Sequence, residues 1–319
     1  MDQSPLISIV VPCYDEEANL SELYRRLTTV LRAMDNSASY EIVLVNDGSS
    51  DRTWPVILSL INADSHVVGV NLAHNHGHQL ALSAGLKNCK GQRIFILDAD
   101  LQDPPELLPD MMGLMDQGAD VVYGQRLSRR GENWFKKTSA ALFYRCFNRL
   151  ADVRLPLDSG DFRLLSRRCL NILNAMPEQH RFIRGMVGWI GMKQVALPYH
   201  RQPRFAGATK YSFGRMLHFA ADAVTGFSIK PLRLATYLGG FSALVGIIIL
   251  VYSIMRWVEG DVVAGWTSLI ATVVIMGSTQ LLVLGVFGEY LGRLYIQAKQ
   301  RPLFVVESIV TTQDLKKNG

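Results

Sequence analysis

Two long uncharged stretches constrain this chain more than anything else in it. Between Arg233 and Arg256 lie 22 residues without a charge, and between Asp261 and Glu289 lie 27. As helices, each is long enough to cross about 30 Å of hydrocarbon. Arg256 to Asp261 leaves room only for a tight turn. The pattern therefore predicts a transmembrane hairpin over 233–292, with spans at about 234–255 and 263–287. A buried helical hairpin in a soluble core is the alternative, but two such spans are improbable in a soluble protein of 319 residues. Lys230 and Arg233 flank one end of the hairpin and Arg293, Lys299 and Arg301 the other, while the turn sets one Arg against Glu259 and Asp261. The positive-inside rule then predicts a multi-pass protein with both termini in the cytoplasm. No signal peptide is expected ahead of Ile7.

The remainder reads as α/β. Apolar runs at Ile7–Val11, Ile42–Val45, Val67–Val70, Ile94–Leu97 and Val121–Val122 alternate with helical stretches at about 15–34, 51–63, 78–89 and 104–117. That alternation predicts a parallel sheet with helices on both faces. It excludes a purely membrane-embedded protein.

The net charge of +5 conceals a division: residues 1–125 carry 7 Lys/Arg against 17 Asp/Glu, and residues 126–319 carry 26 against 11. Basic residues beside a membrane span suit an anionic leaflet surface. Nucleic acid is not expected as a partner, because no nucleic-acid motif accompanies the charge. Cys13, Cys89, Cys146 and Cys169 show no paired spacing, which suits a reducing compartment without a zinc or redox motif.

After Arg126 the pattern changes. Ser128–Asn133 reads as a loop. Trp134–Leu150 reads as a basic amphipathic helix, either lying in the membrane interface or packing on the sheet. Tyr211–Lys230 reads as interfacial, so 211–232 is expected to be juxtamembrane and 293–319 a cytoplasmic tail.

The chemistry gathers at strand ends. Pro12-Cys-Tyr14-Asp-Glu16-Glu17 follows the first strand and Asn46-Asp47-Gly48-Ser-Ser-Asp51 the second. Asp98-Ala-Asp100-Leu-Gln102 follows the strand Ile94–Leu97, and Pro104-Pro105 then opens a helix. In open α/β sheets ligands bind beyond the carboxyl ends of strands. Carboxylates there can hold a hard divalent ion that grips phosphate oxygens. Each motif alone is weak, since such turns favour Asp, Asn, Ser and Gly for capping, and Asp51 reads as a plain N-cap. Together they line one edge of one sheet.

In this order the motifs resemble the inverting family 2 glycosyltransferases, in the branch of dolichol-phosphate-mannose synthases, bactoprenol glucosyltransferases and undecaprenyl-phosphate formamido-arabinose transferases. The resemblance continues through Asp158-Ser-Gly-Asp161-Phe-Arg163-Leu-Leu-Ser-Arg167, Thr209-Lys210-Tyr211-Ser212 and the two-span tail. It implies a GT-A, Rossmann-like domain over 1–210. The implied reaction moves a sugar, with glucose from UDP-glucose expected first, onto undecaprenyl phosphate at the bacterial inner membrane. The product would serve glycan or lipopolysaccharide modification.

The resemblance also implies roles. Pro12, Tyr14 and Glu16 would contact the nucleoside, and Asp47 would accept from a nucleobase N–H. Asp98 would hold ribose or metal. Asp100 and Gln102 would ligate Mg²⁺ or Mn²⁺, which would neutralise the departing diphosphate. Family members commonly have Asp where this chain has Asn46. Arg163, Arg204 and Lys210 would contact the acceptor or diphosphate. Arg126, after a strand end, and Lys136 and Lys137, at the start of the basic amphipathic stretch, are read as further cations for the acceptor or diphosphate, and each of these cations has a solvated surface charge as its alternative. Asp161 is the catalytic candidate beside Asp100, as proton acceptor or as a group that orients the acceptor or balances Arg163. A phosphate acceptor is already anionic and needs little base. Membrane lipids, a homo-oligomer and a separate flippase are the further partners implied.

The alternatives are formamido-arabinose or mannose as the sugar, a processive polysaccharide synthase, and a non-catalytic membrane scaffold. Gln179-His-Arg181-Phe182 does not match the Gln-x-x-Arg-Trp element of many processive synthases, and the intact Asp98/Asp100/Gln102 set argues against a scaffold. His74-Asn-His76-Gly-His78 offers imidazoles for zinc, but Gly77 predicts a turn in which the rings need not converge. The amides before Gln79 would instead suit phosphate at a helix N-terminus.

Overall fold

The computed structural model describes residues 4–34, 40–127, 159–201, 228–260 and 265–318. The expected interfacial helices fall largely outside them. The chain divides into two units: the first holds residues 1–145, 153–213 and 302–319, and the second holds 146–152 and 214–301.

In the first unit, eight described strands form one sheet, in the order Gln194–Tyr199, Val121–Arg126, Ser159–Ser166, Arg93–Ile96, Ile7–Cys13, Tyr40–Asn46, Val67–Leu72 and Val306–Val310 from one edge to the other. The alternating half is as expected: β1 (Ile7–Cys13), α1 (Leu20–Ala33), β2 (Tyr40–Asn46), α2 (Thr53–Ala63), β3 (Val67–Leu72), α3 (His78–Asn88), β4 (Arg93–Ile96), α4 (Leu108–Asp116) and β5 (Val121–Arg126). β1 and β2 are buried along their whole length, so both faces must be covered and their apolar runs are continuous. Leu20, Leu23, Leu27 and Leu31 recur at helical spacing and give α1 one buried face. α3 lies close on the sheet because Gly85 has no side chain: a Cβ there would stand 2.4 Å from Val10 Cγ1.

Two described strands run against the rest. β6 (Ser159–Ser166) inserts antiparallel between β4 and β5, and β8 (Val306–Val310) pairs antiparallel with β3. α5 (Arg167–Ala175), α6 (Ile183–Ile190) and β7 (Gln194–Tyr199) follow β6, and α9 (Thr312–Asn318) follows β8. The segment read as a tail therefore returns to the sheet as an edge strand. Reversing β6 carries its first residues to the edge where the parallel strands end. Ile96 pairs with Arg163, so Asp161 comes to lie across from Asp98, two residues farther on.

The second unit is a pair of long helices, α7 (Lys230–Val258) and α8 (Trp266–Ala298). Both carry spans long and apolar enough to cross a membrane, at Lys230–Arg256 and Leu269–Ala298, with none of the most apolar window buried. Tyr237, Phe241, Leu281 and Leu294 are each more than 60% exposed, which water alone would penalise. Gly246 of α7 lies against Met276 of α8, and Tyr290 Oη donates to the Ser228 carbonyl at 2.5 Å.

Candidate active site

The loop after β1 is held from below. Asp15 sits at φ 53°, and its amide donates to Ser49 Oγ at 3.1 Å while its carboxylate accepts from Ser50 N at 2.9 Å. Glu16 N donates to Thr53 Oγ1 at 2.8 Å, and the Glu16 carboxylate accepts from Asn19 Nδ2 at 2.5 Å. Pro12 is buried and Tyr14 stands exposed above it. Gly48 closes the next loop at φ 62°, where a Cβ would come within 2.6 Å of the His74–Asn75 backbone. Asp51, expected as a plain N-cap, stands one residue ahead of the N-cap position Arg52; it accepts from Thr53 N at 2.9 Å and from Glu17 N at 3.2 Å, tying the start of α2 to the loop after β1.

Asp47 is 1% exposed, and its two oxygens accept from His76 N at 2.7 Å and Gly77 N at 2.9 Å. Burial nonetheless raises its carboxyl above the usual range, against the pull of those two amides. Its visible work is to tie the loop before α3 to the end of β2.

The acidic centre is built by β4, β6 and the start of α3. His78 Nε2 lies 3.4 Å from Asp98 Oδ1 and 3.4 Å from Asp161 Oδ2. Burial would lower the imidazole, but Asp98 and then Asp161 outweigh it and hold His78 up to about 9. Gln79 Nε2 donates to Asp161 Oδ2 at 2.8 Å while Gln79 Oε1 accepts from Ile183 N at 2.9 Å. Arg184 Nε and Arg163 Nη2 approach Asp161 Oδ1 at 3.5 and 3.9 Å. Against the opposing effect of burial, Arg184, His78 and Arg163 keep Asp161 well below the usual carboxylate range. Asp98 moves the other way: burial raises it, His78 opposes, and Asp161, Asp103 and Asp100 add to the rise.

A second cluster lies toward β5 and β7. Asp103 is fully buried; Tyr199 Oη donates to it, and Arg126 Nη2 lies 3.3 Å away. Arg126 Nε donates to Tyr199 Oη at 3.1 Å. Arg201 reaches Asp103 at 3.7 Å and Asp100 at 4.0 Å. Gln102 N donates to Asp100 Oδ1 at 3.1 Å.

Pro12, Tyr14, Glu16, Asp47, Asp98, Asp100, Gln102, Arg126 and Asp161 thus all sit along one sheet edge. Arg163 stands behind Asp161, 3% exposed, with Nη2 donating to the Gly160 carbonyl at 2.9 Å. Burial lowers its guanidinium to about 10. Lys136, Lys137, Arg204 and Lys210 lie outside the described residues. His78, Gln79, Asp103, Arg184, Tyr199 and Arg201 join the site without having been expected as its side chains. His78 stood in the string of three imidazoles and Asp103 beside Gln102 in the strand-end motif, whereas Arg184, Tyr199 and Arg201 were marked by nothing but position near an element end. His74 and His76 lie with ring centroids 3.9 Å apart and planes tilted by 38°, His76 Nε2 accepts from Val305 N, and His78 faces Asp98 and Asp161 instead, so the three imidazoles share no common centre.

Among the described residues no group of three His, Cys, Asp or Glu side chains is already arranged around a metal position. The donor chemistry still fits a hard cation. Asp98 Oδ1 is buried without a hydrogen bond among the described residues, and Asp100 lies on the same turn, whereas Asp103 is taken up by Tyr199 and Arg126. Asp161 Oδ1 and the Nε atoms of Arg184 and Arg201 are likewise without hydrogen-bond partners there. An edge so lined with acids and cations, at the carboxyl ends of parallel strands, is where an α/β sheet binds a charged ligand.

Residues 8–172 match the family described as glycosyl transferase family 2, and residues 230–294 match the GtrB C-terminal hairpin. The chain belongs to glycosyl transferase family 2. It is 41% identical over 301 residues to the uncharacterized glycosyltransferase YkcC of Bacillus subtilis (strain 168), covering 94% of this chain and 93% of that one. It is 35% identical over 306 residues to the prophage bactoprenol glucosyl transferase homolog of Escherichia coli (strain K12), covering 95% and 99%. The crystal structure of glucosyl-3-phosphoglycerate synthase from Mycobacterium tuberculosis, in complex with Mn²⁺, UDP-glucose and phosphoglyceric acid, is similar at 18% identity and a TM-score of 0.45. That similarity covers 69% of this chain and 78% of that one.

Proposed function

We propose that this protein transfers a sugar, glucose first among the choices, from a UDP-sugar to undecaprenyl phosphate at the cytoplasmic face of the bacterial inner membrane. The observation that carries the reading is the β4–β6 register, which sets the Asp98 and Asp100 turn opposite Asp161 on the strand-end edge. A relative named for bactoprenol glucosyl transfer, matching along nearly the whole chain, supports the acceptor.

The acceptor phosphate oxygen attacks the anomeric carbon, and the bond from that carbon to the UDP oxygen breaks with its electron pair leaving on UDP. An α-linked donor gives a β-linked polyprenyl phosphosugar. Asp98, Asp100 and Gln102 would hold Mg²⁺ or Mn²⁺, which when bound neutralises charge on the diphosphate. Pro12, Tyr14 and Glu16 line the nucleoside side. Asp47 orders the loop beneath it, and its reading of a base N–H is part of the same proposal.

Asp161 is too strongly held as an anion to be an effective base. It serves by position: it fixes Arg184 and His78 at the reacting edge and sets a negative charge against the cationic character that grows at the anomeric carbon. Arg163 is its buried counter-ion. Arg126 is pinned by Asp103 and Tyr199 with one face toward the edge, and Arg184 and Arg201 supply further cations for phosphate oxygens. Arg204 and Lys210 remain assigned to the acceptor or diphosphate by resemblance, and Lys137 by its place at the start of the basic amphipathic stretch.

The hairpin connects β7 to β8, two strands of one sheet. Its helices must therefore cross the bilayer an even number of times, which supports a two-span hairpin with both ends on the catalytic side. A homo-oligomer and a separate flippase complete the proposal.

Purified protein in detergent, given undecaprenyl phosphate and a panel of UDP-glucose, UDP-formamido-arabinose and GDP-mannose, tests the reading by lipid-product mass. A hexosyl product from UDP-glucose that vanishes with chelator and returns with Mg²⁺ or Mn²⁺ is expected. Turnover with only another donor replaces the sugar. Polymer formed without lipid phosphate overturns the acceptor.

A further inference from the structure

The strand that follows the membrane hairpin reaches into the nucleotide edge through a continuous line of hydrogen bonds. Asn71 Nδ2 donates to Glu307 Oε2 at 2.7 Å, and Asn46 Nδ2 donates to Asn71 Oδ1 at 2.7 Å. Ser49 N donates to Asn46 Oδ1 at 3.3 Å, and Asp15 N donates to Ser49 Oγ at 3.1 Å. The line crosses β8, β3 and β2 at their edge and ends in the loop after β1. A second tie runs beside it. Ala73 N donates to the Val305 carbonyl at 3.0 Å, and Val305 N donates to His76 Nε2 at 3.2 Å. His76 and Gly77 are the residues whose amides hold Asp47.

The direction of the line is dictated by its end. A carboxylate only accepts. Glu307 therefore turns the Asn71 amide nitrogen toward itself and the Asn71 oxygen toward β2. Asn46 must then donate to that oxygen, which leaves its own oxygen to accept from Ser49 N. An aspartate in place of Asn46 could not donate and would break the line in the middle. The β3–β8 register shifts between Asn71 and Leu72, where this contact is made. A strand that merely covered the edge of β3 would need only its backbone ladder.

We propose that Glu307 is a positioning residue for the nucleotide-facing loops, acting through Asn71 and Asn46, so that the segment beyond the membrane hairpin is part of the donor site. This rests on the assignment of the loops after β1 and β2 to the nucleotide.

The test uses the full chain in detergent, with UDP binding measured by calorimetry and transfer measured at saturating acceptor. Glu307→Ala should weaken UDP binding and raise the donor KM about fivefold, with kcat and Tm near wild type. Asn46→Asp should weaken UDP by about tenfold. Combining Asn46→Asp with Glu307→Gln reverses the two side-chain donors in the line and leaves the backbone donors Ser49 N and Asp15 N as they are. The new glutamine amide on β8 donates to the Asn71 oxygen, and the Asn71 nitrogen donates to the new carboxylate on β2. The double variant should recover most of the lost affinity. Unchanged UDP binding by Glu307→Ala, or a double variant no tighter than Asn46→Asp alone, overturns the positioning role. A parallel fall in Tm, kcat and affinity in all variants also overturns it, in favour of a structural edge strand. Wild type that binds no UDP overturns the assignment of the loops themselves.

Discussion

Asp98 and Asp161 share one imidazole: His78 Nε2 lies 3.4 Å from an oxygen of each. The two carboxylates come from strands running in opposite directions, and their charges are pulled apart. Arg184, His78 and Arg163 hold Asp161 down against burial, whereas burial lifts Asp98. Environments so different predict different roles for the two acids.

Asp161→Asn keeps the shape and removes the charge. A fall of about 10²- to 10³-fold in kcat is expected, with UDP affinity within a few fold of wild type. Unchanged turnover would remove Asp161 from the reaction. Circular dichroism checks that Arg163, left without its counter-ion, has not unfolded the domain.

His78 links the site to pH. Its value in the folded protein is about 9, above the ordinary value of about 6.5. Its charge therefore contributes stability that is fully present below about 6.5 and is lost as pH rises through about 9. Denaturant titrations should show wild type losing stability between about pH 7 and about pH 9.5, with transfer activity falling over the same alkaline range. His78→Gln should be less active at neutral pH and should flatten both alkaline limbs. An identical alkaline loss in the variant would assign the effect to another group.

Tyr199→Phe removes the hydroxyl that donates to fully buried Asp103 and accepts from Arg126. A loss of about 1–3 kcal/mol of stability is expected, because a buried acceptor is left short of a donor. Transfer should fall as well, since Arg126 loses one of its two anchors. Equal Tm values for the two proteins would contradict this account of the cluster.

Topology is directly measurable. With the native cysteines replaced, a cysteine introduced in place of Gly260 should react with a membrane-impermeant maleimide in intact spheroplasts. A cysteine introduced in place of Lys316 should react only after permeabilisation. Labelling of both from outside, or of neither, would contradict a two-span hairpin with its ends in the cytoplasm.

Much of the fold was legible because burial on both faces leaves a local trace. Ile9–Val11, Ile42–Val45 and Ile94–Leu97 are apolar without alternation, and each is followed by turn residues and a helix. β6 left a fainter trace. Its run Ser-Gly-Asp-Phe-Arg carries two ionisable groups, and their burial depends on each other across 3.9 Å and on Gln79, His78 and Arg184, which come from distant parts of the chain. β8 alternates as an edge strand should, yet nothing local says that a segment beyond two membrane-length helices returns to pair with β3.

Asp98, Asp100 and Asp161 and the cations Arg126 and Arg163 were legible in the same way; the part of Asp103 and two further cations were not. Asp98, Asp100 and Asp161 stand in recognisable strings. Arg184 and Arg201 stand in none, and they enter the site because α6 and the end of β7 carry them there. His78 looked like one of three spaced imidazoles, but its partners are two carboxylates 20 and 83 residues farther along the chain.

By itself the sequence determined the alternating α/β half, the apolar hairpin and the acids at the strand tips, because each is written in contiguous residues whose periodicity or charge acts locally. Only the tertiary structure decided that β6 and β8 run backward, that Asp161 faces Asp98, and that Glu307 reaches Asn46 through Asn71. Those contacts depend on strand register, which is set by long-range pairing and packing of the assembled sheet.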